Sequence, residues 1–208
     1  MATFVALLRG VNIGKAKRVP MAELRTLLSR LGYTRVATLL NSGNAVFHTP
    51  RGTPAKHSAD IAAAIFTQFK IAVPVIVKSA SELAAIVSES PITPAADEHP
   101  RFLVAFVQDT KALSSLAAIE SLAVPPDRFA MGKNAAYLLC AKGILESKAG
   151  AALLGKTGKL ATTRNWATVL KLQALARASN ARLLVRAKAR HAAVPKRSTR
   201  HGRKPRTA

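Results

Sequence analysis

The order of patterned apolar segments constrains this chain more than any other feature. A strand-like run at residues 3–9 opens into the loop RGVNIGK. Pro20 then suits the first position of a helix, and Met21, Leu24, Leu27, Leu28 and Leu31 recur at helical spacing until Gly32. Residues 36–40 read as a strand, NSGN (residues 41–44) as a turn and residues 45–48 as the return strand. Thr53-Pro54 starts a second helix with Ile61, Ile65 and Phe69 four apart on one face, and residues 73–78 form a short apolar strand. The order β-α-β-β-α-β is the ferredoxin-like plan.

Ser79 and Glu82 have capping-box spacing and open a further helix to about Ser88. The stretch SPITPAADEHP, residues 90–100, carries three prolines and reads as a linker. Beyond it the same topology recurs without the same letters: a strand at 102–108, a helix at 110–122, a hairpin (128–131 and 135–140) around Gly132-Lys133-Asn134, and a helix near 148–154. Thr162 or Thr163 is expected to cap a helix running to about Ala178, with Trp166, Val169, Leu170 and Gln173 on one face. The expected fold is α+β. Two ferredoxin-like (βαββαβ-type) halves, residues 1–89 and 101–181, pack together. A C-terminal helix and a basic, largely disordered tail at 182–208 complete it.

Composition narrows the class. The 208 residues are 49% hydrophobic, enough for a real core. The longest apolar runs fall far short of a membrane span, which needs roughly 18 residues. The opening MATFVALLRG lacks a basic start and a cleavage-type site, so it reads as a strand and not a signal peptide. A single cysteine, Cys140, excludes an internal disulfide and fits a reducing cytoplasm. The charge is unusual: 32 Lys+Arg against 10 Asp+Glu, or +22. Residues 182–208 hold ten of those cations and no acid. Residues 1–181 therefore keep 22 cations against 10 acids, or +12. Both parts would attract polyanions, without choosing a nucleotide sequence.

Two stretches invite comparison with the phosphate-binding pattern G-x-x-x-x-G-K-[ST]. RGVNIGK has three residues between Gly10 and Gly14 instead of four, and Ala16 where a hydroxyl should follow Lys15. GAALLGKT, Gly150 to Thr157, matches every letter, but Ala151, Ala152, Leu153 and Leu154 favour helix. There Gly155 reads as a helix stop. No histidine pairs with another at metal-ligand spacing, so no metal is expected, nor any cofactor. Cys140 ends the apolar run AAYLLC and reads as a buried thiol.

The candidate site is topological. The first and second strands of such a unit are parallel and end at one sheet edge. That sets Arg9, Gly10, Asn12 and Lys15 beside Asn41, Ser42, Gly43 and Asn44, an edge of cations, amides and exposed backbone N–H groups suited to an anion. Asn and Gly are also what turns require. Arg9, ending a buried strand, needs a partner, either a protein carboxylate or a ligand. Arg164 is placed in the first turn of a helix, where a cation opposes the macrodipole and something acidic should lie near. Asn165 adds an amide and Trp166 a flat ring, though the spacing of Trp166 is also that of a core position.

The stretches ALLRGVNIGK, LNSGNAVF and TTRNWATVLKL, in this order, resemble the bacterial family called domain of unknown function 1697. The resemblance runs from about Thr3 to about Ala178. It implies a two-part α+β fold built on ferredoxin-like units, and no activity. Its shared positions fall here on Arg9, Gly10, Asn12, Gly14, Ser42, Gly43, Asn44, Thr163, Arg164, Asn165 and Trp166. The family usually ends near the TRNW helix, so the tail is an addition.

Two functions of different class follow. One is a module binding a small phosphate- or carboxylate-bearing ligand through Arg9, Asn12, Lys15, Ser42, Asn44, Arg164, Asn165 and their neighbours. The alternative is nonspecific DNA or RNA association through the basic body and the tail cations Arg186, Lys188, Arg190, Lys196, Arg197, Arg200, Arg203, Lys204 and Arg206. With 5% aromatic residues, base stacking is not expected. The sequence names no reaction.

Overall fold

In the computed structural model of the chain, residues 1–14 and 17–192 are described, with side chains through Ala181. Lys15 and residues 193–208 lie outside the described residues, and with them the expectations for Lys196, Arg197, Arg200, Arg203, Lys204 and Arg206.

The first half runs β1 (Ala2–Leu8), α1 (Met21–Arg30), β2 (Thr34–Leu39), β3 (Asn44–Thr49), α2 (Pro54–Phe69), β4 (Val75–Ser79) and α3 (Ala80–Ser88). The second runs β5 (Phe102–Val107), α4 (Thr110–Ser114) with a 3-10 continuation (Ser115–Leu122), β6 (Arg128–Met131), β7 (Ala135–Leu139), α5 (Lys148–Leu154), β8 (Ala161–Asn165) and α6 (Trp166–Ala192). Among the described residues there are two four-stranded sheets, ordered β2-β3-β1-β4 and β6-β7-β5-β8, with every pairing antiparallel. The halves thus repeat one strand order. Because β1 and β2 both run antiparallel to β3, they are parallel to each other and end at the same edge.

Alternation along the central strands builds three cores. Phe4, Ala6 and Leu8 of β1 face α1 and α2, packing on Leu24, Leu28, Ile61 and Ile65. Leu103, Ala105 and Val107 of β5 face the opposite outer layer, with Leu116, Ile119 and Leu153. The alternate residues, Val5 and Leu7 with Val104 and Phe106, share a third core with Leu83 and Ile86 of α3 and Trp166, Val169 and Leu172 of α6. That core unites the halves, and α6 packs against strands of both sheets. The 90–100 stretch takes part, since Ile92 is buried there.

The Ser79/Glu82 capping box forms: the Ser79 hydroxyl accepts from the Glu82 amide at 3.1 Å, and the Glu82 carboxylate accepts from the Ser79 amide at 2.7 Å. The β4 edge is closed by Gln108, whose side-chain carbonyl accepts from the Val77 amide at 3.1 Å. A side-chain amide there replaces the missing neighbouring strand.

Two expectations are corrected. Thr162 and Thr163 do not cap a helix: residues 161–165 form β8, paired antiparallel with β5 in the register Val104 to Arg164. Two β-branched residues before a helical period read locally as a cap. The otherwise unpaired edge of β5 instead draws them into the sheet, where β-branched residues fit. Asn165 then caps α6, accepting from the Thr168 amide at 3.0 Å. The helix also runs on to Ala192, past the expected end near Ala178, so the stretch carrying Arg186, Lys188 and Arg190 is helical and not a disordered tail.

Candidate functional site: the junction of the two halves

The edge where β1 ends brings the expected stretches together. The Leu8 amide donates to the Gly43 carbonyl at 2.8 Å, and the Asn12 Nδ2 donates to the Asn41 carbonyl at 2.7 Å. Asn12 also ties its own loop. Its Nδ2 donates to the Val19 carbonyl at 2.9 Å, and its Oδ1 accepts from the Val19 amide at 2.8 Å. Gly43 has a φ of +74°, and a Cβ there would lie 2.6 Å from the Leu8 Cβ. Both the left-handed conformation and the close approach require glycine.

Arg164 crosses from the second half into this edge. Its Nε donates to the Asn44 Oδ1, one η nitrogen donates to the Thr162 hydroxyl (2.9 Å) and the Thr163 carbonyl (2.7 Å), and the other to the carbonyls of Leu8 (2.7 Å) and Ser42 (3.0 Å). All five guanidinium N–H groups are therefore spent on neutral acceptors. Asn44 is held in turn, its Nδ2 donating to the Leu39 carbonyl and the Ser42 hydroxyl. Arg164 is 8% exposed, and burial pushes its pKa down to about 10. The acid expected beside it is absent: among the described residues no carboxylate forms an ion pair with Arg164 or Arg9. The macrodipole argument for that acid lapses, because Arg164 lies in a strand.

Arg9 reaches the other way, to the end of α5. It donates to the carbonyls of Gly158 and Ala161 and, more exposed, to those of Leu154 (3.1 Å) and Gly155 (3.3 Å). A cation at a helix C-terminus meets carbonyls left without intrahelical donors. The partner that Arg9 required is thus the stretch GAALLGKT and the turn after it. That stretch is helix through Leu154, as its residues suggested, with Gly155 at the cap. Gly158 follows so closely that a Cβ would lie 1.8 Å from the Leu153 carbonyl oxygen.

Between these contacts lies a cleft of about 440 Å³. Arg9, Gly10, Ser42, Thr163, Arg164 and Asn165 line it on the polar side. Leu8, Val11, Leu103, Ile144, Leu153 and Leu154 line it on the apolar side. No acidic residue does. Asn12 instead borders a separate hollow of about 370 Å³ with Gly14, Arg18 and Asn41. Asn44 lies wholly buried behind the cleft. Trp166 belongs to the shared core, its ring centroid 5.2 Å from that of Phe102. Sequence reasoning missed Leu154 and Gly158 as parts of this junction, since no local pattern ties them to Arg9.

Residues 1–137 match the family model described as "Protein of unknown function (DUF1697)". The chain belongs to that family. The match covers RGVNIGK and NSGN and ends before TTRNW. Among solved structures the chain is similar to the conserved bacterial protein SP0830 from Streptococcus pneumoniae, with a TM-score of 0.68 at 23% identity. The likeness covers 83% of this chain and 97% of that one, which places the two-sheet fold in both. No curated protein matches the chain.

Proposed function

We propose that the protein binds a small phosphate- or carboxylate-bearing ligand in the cleft between its halves, each half being a ferredoxin-like unit. The repeated strand order, with its flanking helices, supports the ferredoxin-like reading. One observation carries the ligand reading: a buried guanidinium, hydrogen-bonded only to neutral groups, borders a cleft with no acidic residue. Hydrogen bonds satisfy its donors but leave its charge uncompensated, and a buried charge is costly without a counter-charge. Arg9 adds a second positive charge at the same cleft, its own pKa lowered by burial. An anion supplies what both lack. Free donors are at hand: the Thr163 hydroxyl, the Asn165 Nδ2 and the Arg9 Nε have no partner among the described residues.

The test is thermal shift and calorimetry on the full chain against inorganic phosphate, nucleotides, phosphosugars and simple carboxylates. At least one anion should raise the Tm in a concentration-dependent way. If none does, or if sodium chloride at equal ionic strength gives the same shift, the reading fails.

A second reading, nonspecific nucleic-acid association, is favoured by one observation. The last acid is Glu146, and every charged residue after it is basic. Helix α6 carries part of that charge to Ala192. Binding of a labelled oligonucleotide should weaken by a factor of about 10³ or more between 50 and 200 mM salt. It should fall sharply in a chain ending at residue 181. Unchanged binding after truncation would remove the tail from the account.

A further inference from the structure

Resting on the anion-site reading, we propose that the ligand is an amphipathic carboxylic acid, with an apolar body along the Leu/Ile wall and its carboxylate at the Arg164 end.

Three features point there. The first is the wall. The side chains of Leu8, Val11, Leu103, Ile144, Leu153 and Leu154 carry no group that could hydrogen-bond a sugar or a base. The second is the mouth, where Ile13 is 74% and Leu154 49% exposed. Large apolar side chains gathered at a cleft mouth mark a surface that another apolar group covers. The third is the donor inventory. Arg164 has no N–H left for a bidentate grip, which is how arginine usually holds phosphate. The cleft therefore offers strong positive potential but few free donors: the Thr163 hydroxyl, the Asn165 amide and the Arg9 Nε. Three donors suit the two oxygens of a carboxylate. They leave a phosphate dianion, with three charged oxygens, poorly solvated. Arg164 acts by its charge, and the free donors orient the head group.

Isothermal titration of the full chain with butanoate, hexanoate, octanoate, octanol and octylammonium tests this. Affinity should tighten roughly two- to fourfold per added methylene up to octanoate. Octanol should bind at least tenfold more weakly than octanoate, and octylammonium not measurably. Leu154→Glu places a carboxylate at the exposed mouth and should weaken octanoate at least tenfold. Leu154→Lys should weaken it much less. The urea midpoints of both variants should stay at the wild-type value. Equal affinity of butanoate and octanoate, or tighter binding of inorganic phosphate, overturns the amphipathic acid and leaves the anion site standing. Octanol binding as tightly as octanoate overturns the anion site itself. No binding of any carboxylate, or equal losses in Leu154→Glu and Leu154→Lys, overturns the proposal.

Discussion

Arg164→Met keeps an unbranched side chain that can stay buried and removes all five of the arginine's donors. Not every acceptor is then orphaned. The Gly43 carbonyl keeps the Leu8 amide at 2.8 Å, and the Leu8 carbonyl keeps the Thr162 hydroxyl at 3.4 Å. The Ser42 carbonyl and the Asn44 Oδ1 lose the only donor they have among the described residues. Two unsatisfied acceptors at about 1–3 kcal/mol each set a cost of about 2–6 kcal/mol. Part is returned, because the variant no longer buries a charge that lacks a counter-charge. The expected net loss is about 3 kcal/mol, or roughly 6–12 °C in Tm for a chain of this size. Urea unfolding followed by circular dichroism reads it as a lower midpoint at unchanged slope. Arg164→Lys should lose nearly as much, since an ammonium has three donors and no planar fork. In a double-mutant cycle with Asn44→Ala, the coupling should be about 1–2 kcal/mol. A methionine variant within about 0.5 kcal/mol of wild type would refute the idea that this guanidinium clamps the halves.

Two further predictions concern the first half. Gly43→Ala combines a positive φ with a Cβ pressed onto Leu8 and Val11, and should cost about 2–4 kcal/mol. Gly10→Ala has a φ of +64° but open space and should cost only about 1 kcal/mol; equal effects on the urea midpoint would remove the packing argument. His48 and His57 are buried, and the Nε2 of each lacks a partner among the described residues. Burial lowers both pKa values; Arg35 and the N-terminal ammonium lower His48 further, and Asp60 opposes the shift at His57. Their folded pKa values lie below the unfolded value of about 6.5. Stability is therefore fully present above about pH 6.5 and falls as pH drops towards the folded pKa values, because the unfolded state takes up the protons first. The urea midpoint should decline between about pH 7 and pH 5, and a flat profile would contradict the burial of neutral rings.

Much of the fold was legible because it rests on short-range physics. The α1 face, the Ser79/Glu82 box, the NSGN turn and the helical character of GAALLGKT each depend on residues a few positions apart. The parallel relation of β1 and β2 followed from segment order alone, and it correctly set Asn12 beside Asn41. The candidate site was half legible. That Arg9 needed a partner followed from its place at a strand end, and that Arg164 belonged with it followed from the resemblance. The exchange of TTRN from helix cap to strand was not legible, because the free edge of β5 that claims it lies some 60 residues earlier.

By itself the sequence determined the alternation of strands and helices, the cap residues, the glycines at tight turns and the excess of positive charge. Each is written in nearest neighbours or in totals. Only the tertiary structure decided what the two arginines do. Arg164 meets the Leu8 carbonyl 156 positions away, and Arg9 meets the Gly158 carbonyl 149 positions away. Backbone carbonyls are identical at every residue, so no choice of letters marks which of them a guanidinium will find. Chain folding selects them, and in doing so it leaves two charges facing a cleft that holds no acid.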